Sequence, residues 1–233
     1  MSNSEAAETS INQAIIQVEN LCKTYRVGEV DVHALRGVDL RVTGGEFVSI
    51  VGPSGSGKST LFHVVGGLTP ATSGIVRIAG KDIAQMTEAE RTELRKTVIG
   101  FVFQKYNLLP TLTAADNIAV ARHISGKDNA GDPWFEDVLK LLGISKRLQH
   151  KPSALSGGEQ QRVAIARAIV KHPDILLADE PTGNLDTENS DAVLALLRDL
   201  NERLGQTILM ITHNPEAAAY GHRTIHMKDG QVV

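Results

Sequence analysis

Apolar and polar residues alternate along AIIQVENLCKTYRV (14–27) and HALRGVDLRVTGGEFVSIVG (33–52), a period of two that predicts half-buried strands interrupted at Gly37 and at a Gly44-Gly45 turn. IVRIAG (75–80) reads as a short strand after a Ser73-Gly74 turn, and VIGFVF (98–103) as another that ends just before Gln104. From 104 to 169 the texture is mainly helical. Within it, DPWFEDVLKLLGI has Asp132 placed to cap, Pro133 at the first helical position and Gly143 at the stop. DILLAD (174–179) and TILMITH (207–213) return as apolar strands, separated by a helix with Val193, Leu196, Leu197, Leu200 and Leu204 on one face. Strand, helix and strand in that order predict a parallel sheet. The expected fold is therefore α/β: a polar tail over about 1–14, a β-rich N-terminal layer, a parallel-sheet core, and a helical lobe inserted over about 105–169.

Composition narrows the function classes. A chain of 233 residues, 42% hydrophobic and 22% charged, can bury a substantial core. The net charge of −3 gives no global basic signature, so nucleic acid is not an expected partner. One cysteine, Cys22, excludes an intrachain disulfide framework, and the polar start lacks the pattern of a signal peptide. The longest stretch free of Asp, Glu, Lys and Arg (59–76) is crowded with Gly, Ser and Thr and broken by Pro70, a poor spanning helix.

Two motifs carry chemistry. GPSGSGKS comprises Gly52, Pro53, Ser54, Gly55, Ser56, Gly57, Lys58 and Ser59, and fits G-x-x-x-x-G-K-[ST] between the strand EFVSIV and an apolar helix. A chance match in a chain of this length arises in roughly one per cent of cases, before the flanking strand and helix are required. Glycines let backbone N–H groups converge on phosphates at a helix start, Lys58 adds a cation, and the Ser59 hydroxyl can ligate Mg²⁺. ILLADE (175–180) ends a buried strand in adjacent carboxylates, whose side chains strand alternation would send apart. Asp179 is suited to hold Mg²⁺ and Glu180 to polarise a water that attacks a γ-phosphate. Taken singly, Tyr25, Gln104 and His213 are ordinary residues.

Taken together, Tyr25, GPSGSGKST (through Thr60), Gln104, LSGGEQ (155–160), ILLADE, NLD (184–186) and His213 form an ordered set. The set resembles the nucleotide-binding subunit of ATP-binding cassette (ABC) transporters over about 15–233. The resemblance implies a P-loop NTPase ABC cassette with a RecA-like core, ATP as substrate, Mg²⁺, and two copies meeting head to tail. It implies that Tyr25 stacks on adenine, that Gln104 reaches Mg²⁺ and the attacking water, and that His213 contacts the γ-phosphate. Ser156, Gly157, Gly158 and Glu159 would complete the ATP site of a second copy, with Asp186 at the seam, so the glycine pair would serve the partner's nucleotide. KYNLLPTLTAADNI (105–118) would lie near integral membrane permease subunits, placing the chain peripherally on the cytoplasmic face of the inner membrane. YRVGEVDVHALRGVDLRVTGGEFVSIVGPSGSGKSTL, GFVFQKYNLLPTLTAADNI and LADEPTGNLD are most similar to the lipoprotein-release and macrolide-export group. A soluble ABC ATPase of repair or translation would usually carry a long coiled-coil insertion or two linked cassettes, and a phosphate-loop kinase would leave LSGGEQ without a role.

Overall fold

The computed structural model describes residues 14–126 and 131–233. The tail expected over 1–14 lies outside the described residues, except for Ala14, which begins the first strand. That strand, β1 (Ala14–Val27), turns at Gly28-Glu29 into β2 (Val30–Thr43). Gly37 does not interrupt β2. It takes φ 75°, opposite Asn20 at φ 47°, where the β1/β2 register slips, and a Cβ on Gly37 would lie 2.9 Å from Asn20 Oδ1. The glycine therefore marks a bulge within one long strand. β4 (Ser73–Ile78) and β5 (Lys81–Asp82) complete an antiparallel layer in the order β2-β1-β4-β5.

The second sheet runs β10-β9-β3-β8-β7-β6. It comprises β3 (Phe47–Val51), β6 (Ile99–Phe103), β7 (Ile175–Asp179), β8 (Thr207–Thr212), β9 (Arg223–Lys228) and β10 (Gln231–Val232), parallel except for the β9/β10 pair. β3 and β8 are buried at every position, as strands covered on both faces must be. Helix α1 (Lys58–Val65) follows β3, α2 (Glu88–Thr97) precedes β6, α6 (Thr187–Leu204) joins β7 to β8, and α7 (Pro215–Ala218) follows β8. The packed face of α6 is Val193, Leu194, Leu197 and Leu200. Leu196 is only half-buried, and Leu204, expected on that face, is exposed as the helix ends at Gly205.

Between β6 and β7 lie α3 (Ala114–Ser125), α4 (Pro133–Leu141) and α5 (Gly157–Ile169), with two short 3-10 turns at Ser145–Arg147 and Pro152–Ala154. Asp132 caps α4 by accepting the Trp134 N–H, and Pro133 is its first residue. The stretch just after Gln104 is not helical. Buried Asn117 holds it, exchanging hydrogen bonds with the Leu109 backbone and donating to Thr113 O. No described helix is long and apolar enough to cross a membrane.

Candidate functional site

The parallel register places four strand ends on one edge: Val51 beside Thr212, Asp179 beside Ile211, and Phe103 beside Asp179. Loops leaving the carboxyl ends of parallel strands therefore meet there, the usual place for a ligand in such a sheet. A cleft of about 1090 Å³ opens at this edge. It is lined by the whole expected phosphate loop, Gly52 through Thr60, and by Gln104, Asp179, Glu180 and His213. Val32, His33 and Ala34 of β2 form another wall, which the motif reading did not anticipate. Tyr25 is not part of the lining; it pairs across the ladder with Val32, which is, and Lys23 Nζ sits 4.8 Å from its ring centroid.

Conformation explains the loop's glycines individually. Gly57, the N-cap of α1, has φ 99°, and a Cβ there would lie 2.6 Å from Ala34 O. At Gly52 a Cβ would meet Met227 O at 2.1 Å. The loop thus needs both a left-handed turn and the closest backbone approach. No side chain caps α1, whereas every other α-helix in the described residues has a side-chain N-cap. Its first N–H groups have no side-chain acceptor, the arrangement that suits an anion at a helix start. The Lys58 ammonium is buried and donates to Gly52 O at 2.7 Å and Pro53 O at 2.9 Å, which fixes the loop's curvature.

Glu180 follows β7 with φ 48°, a conformation uncommon outside glycine, while its N–H still donates to Ile211 O at 2.9 Å. Strand alternation therefore ends at Asp179, and the two carboxylates expected to diverge line the same cleft. His213 Nδ1 lies 2.9 Å from each Glu180 carboxylate oxygen, and Thr212 Oγ1 approaches one of them at 3.5 Å. Burial holds the Asp179 carboxyl above the usual aspartate range; the neighbouring Glu180 charge adds to this, and His63 and Lys58 pull against it. Ser59, Asp179 and Gln104 bring hydroxyl, carboxylate and carboxamide oxygens to one cleft. Such hard donors, too few for an all-protein cage, fit Mg²⁺, which keeps waters and takes phosphate oxygens.

Gln104 is tied to the turn after β7. Its carbonyl accepts from Asn184 Nδ2 at 2.8 Å, and its carboxamide lies so close to Gly183 that a Cβ there would be 2.6 Å from Nε2. Arg167 of α5 donates to Tyr106 O at 2.8 Å and to Asn107 O, fastening the next residues to the helix that LSGGEQ opens.

The residues expected to act on a second copy, Ser156, Gly157, Gly158, Glu159 and Asp186, lie outside this cleft. Ser156 is exposed and caps α5, accepting the Glu159 N–H at 3.2 Å, while Glu159 accepts the Ser156 N–H at 2.9 Å. The glycine pair also serves its own chain. A Cβ on Gly158 would meet Asn189 Oδ1 at 2.3 Å, and one on Gly157 would meet the Tyr106 hydroxyl at 2.9 Å and Leu185 at 3.1 Å. Asn189 in turn donates both its N–H and Nδ2 to the Asp186 carboxylate, holding that residue over the α6 start. Asn189 and Tyr106 belong to no site motif read in the sequence, and Asn184 entered only as the first residue of NLD. Asn189 alone left a local sign, standing three residues after the Asp186 cap.

Comparisons with known proteins follow the same outline. The ABC transporter family matches residues 35–183. LolD of Shewanella frigidimarina, a lipoprotein-releasing system ATP-binding protein, is 45% identical over 219 residues, covering 94% of this chain and 92% of that one. MacB of Chlorobaculum tepidum, a macrolide export ATP-binding/permease protein, is 47% identical over 222 residues, 94% of this chain and 34% of MacB. The chain thus spans about a third of the length of the MacB relatives it matches. A dimeric ATP-binding cassette solved in a post-hydrolysis state with ADP and Pi superposes with TM-score 0.84 at 41% identity, over 93% of this chain and 96% of that one. With a phosphate loop, two carboxylates and a histidine gathered at one sheet edge and LSGGEQ at a separate helix start, the chain belongs to the ABC transporter family, as an ATP-binding cassette.

Proposed function

We propose that the chain hydrolyses ATP and, by closing on a second copy of itself around two nucleotides, moves integral membrane permease subunits. The observation that carries this reading is a division within the molecule: one cleft holds Lys58, Ser59, Gln104, Asp179, Glu180 and His213, while the exposed Ser156 end of α5 opens outside it. A second chain set head to tail would bring Ser156, Gly157, Gly158 and Glu159 to this cleft and its own cleft to the same residues here, with Asp186 at the seam. Tyr25 and Val32 would flank the adenine.

In the reaction, N–H groups at the open start of α1 and the Lys58 ammonium hold the phosphate tail. Ser59, Asp179 and Gln104 would hold Mg²⁺, which when bound neutralises β- and γ-phosphate oxygens. Glu180 orients and polarises a water and takes its proton; the water oxygen bonds to the γ-phosphorus as the bond from phosphorus to the β–γ bridging oxygen breaks, that oxygen leaves on ADP, and phosphate is released. His213, bonded to both Glu180 oxygens, sets the carboxylate's direction.

The permease contact is assigned to the face around the segment after Gln104. Leu109, Val120 and Ile124 are exposed there, and Phe101, Phe103, Ile124 and Arg95 line a groove of about 390 Å³ beside α3. Apolar side chains left outside on this face fit a protein partner. The LolD and MacB relatives support a role in lipoprotein release, export or mechanical transmission, with the cassette peripheral on the cytoplasmic face of the membrane.

Sedimentation of Glu180→Gln with and without Mg-ATP tests the two-chain mechanism. Binding without turnover should glue the seam and yield a nucleotide-dependent dimer, with steady-state hydrolysis reduced at least roughly a hundredfold. A persistent monomer at high protein and Mg-ATP, even with the membrane partner supplied, overturns it. Co-purification with an integral membrane protein, lost on Ile124→Glu, tests the permease face.

A further inference from the structure

The start of α5 carries a carboxylate where the two-chain reading brings in an anion. Glu159 is the third residue of the helix, and its carboxylate accepts the Ser156 N–H at 2.9 Å. For the isolated helix this is favourable, because a negative charge in the first turn meets the positive end of the helix dipole and satisfies an orphan N–H. For a phosphate arriving at the same end, the same charge is repulsive.

The chain holds a cation against that charge. Arg147 Nε donates to Glu159 Oε1 at 2.7 Å. The two side chains sit at different depths: Glu159 is 16% exposed and Arg147 is 47% exposed, so the guanidinium, not the carboxylate, faces outward. Together the Ser156 N–H and Arg147 hold the Glu159 carboxyl below the usual glutamate range. Arg147 is placed by backbone rather than by chance. It ends a 3-10 turn closed by Arg147 N–H to Ile144 O at 2.8 Å and His150 N–H to Arg147 O at 2.9 Å, and the next residues accept from the α3 start, Ala114 N–H to His150 O and Ala115 N–H to Leu148 O. Around the pair is a hollow of about 570 Å³ lined also by Lys140 and Lys146, in which Glu159 is the one lining acid among the described residues.

We propose that Arg147 is a positioning residue for the ATP-binding surface contributed to a second copy: it neutralises Glu159 and turns the Ser156 end of α5 from an anionic cap into a receptor for nucleotide phosphate. The proposal rests on the two-chain reading above. The arrangement separates two demands on one position. Glu159 completes the capping box, and Arg147 removes the repulsion that a free carboxylate there would present to ATP. The Arg147 end of the pair is exposed and Glu159 keeps its hydrogen bond from the Ser156 N–H without it, so the consequence of losing Arg147 falls mainly on nucleotide-driven association.

The test measures the Mg-ATP concentration that half-dimerises the Glu180→Gln parent, by sedimentation, alongside the thermal midpoint of each ligand-free chain. Adding Arg147→Ala should raise that concentration roughly tenfold with the midpoint unchanged, and Arg147→Lys should keep most of the parent's response. Adding Glu159→Gln to Arg147→Ala should return the response to within about twofold of the parent, since a glutamine keeps the capping box and removes the charge. If Arg147→Ala dimerises like the parent, or if Glu159→Gln fails to restore it, charge neutralisation is wrong while the two-chain reading stands. A parent that stays monomeric at every Mg-ATP concentration removes the two-chain reading first, and this proposal with it.

Discussion

Two glycine-bearing helix starts in this molecule look alike in sequence and differ in every physical respect. α1 begins at Gly57 with no side-chain cap, inside a cleft, beneath a buried lysine. α5 begins at Ser156 with a complete capping box, at the surface, beside an exposed arginine. Their glycines answer to different neighbours. Gly57 faces a backbone carbonyl, Ala34 O, in a left-handed conformation, whereas Gly158 faces one side chain, Asn189, in an ordinary helical turn. An uncapped helix start within a chain's own cleft is ready for a ligand without further assembly. A capped start at the surface is a finished helix end that acquires a second use when something is brought to it.

Substitutions can break that contrast. The largest effect belongs to Lys58→Ala: loss of the ammonium that bridges Gly52 O and Pro53 O should lower turnover by roughly a hundredfold or more and weaken ATP binding as well, measured by steady-state kinetics and calorimetry. Unchanged ATP affinity with Mg²⁺ present would contradict the role given to the α1 start.

Next come the glycines. Gly57→Ala meets both a rigid carbonyl and a strained φ, and should destabilise by about 2 kcal/mol with loss of nucleotide binding. Gly158→Ala meets the Asn189 side chain first, its carboxamide nearest, so it should destabilise by about 1–2 kcal/mol and be largely relieved by adding Asn189→Ala, whereas the backbone carbonyl facing Gly57→Ala cannot be truncated away. Denaturant unfolding of Gly57→Ala, Gly158→Ala and the Gly158→Ala/Asn189→Ala double variant decides this. Equal behaviour of the two glycines would erase the distinction.

Ser156→Ala should remove the α5 cap at a cost of about 1 kcal/mol in unfolding free energy, with ATP uptake by the single chain's own cleft, read by calorimetry, unaffected. The smallest shift is at Asp179. Its carboxyl is held above the usual range by burial, so the folded state binds its proton more tightly than the unfolded chain. Stability on this account falls as pH rises from the ordinary aspartate value through the folded one, and the loss is complete above it. Asp179→Asn should therefore raise the neutral-pH melting temperature of the ligand-free chain slightly, while Mg-supported hydrolysis is lost. A lowered melting temperature would contradict the sign.

The periodic and motif-borne parts were legible because they are local. Alternation marked β1 and β2, unbroken apolar runs marked β7 and β8, Asp132-Pro133 marked the start of α4, and the phosphate loop announced itself by spacing between a strand and a helix. Local rules failed where the chain departs from its own period. Gly37 reads as a break and is a bulge, because Asn20 on the neighbouring strand takes up the offset. Leu204 reads as core but is exposed as the last residue of α6, while buried Leu194 lies beside the stripe of Val193, Leu196, Leu197 and Leu200. Alternation placed Glu180 away from Asp179, and a left-handed residue brings both into one cleft.

By itself the sequence determined which side chains are available, where strands and helices begin, and that a phosphate-binding loop precedes a pair of carboxylates, since each follows from residues a few positions apart. Only the tertiary structure decided which of them meet. The order β3-β8-β7-β6 sets Gly52 to Thr60, His213, Asp179 with Glu180, and Gln104 at one sheet edge, although they are spread over more than half the chain. Arg147 beside Glu159 and Asn189 against Gly158 likewise come from packing. Contacts between distant residues depend on how whole elements dock, and the burial that fixes docking is shared among many apolar positions, none of which names its partner.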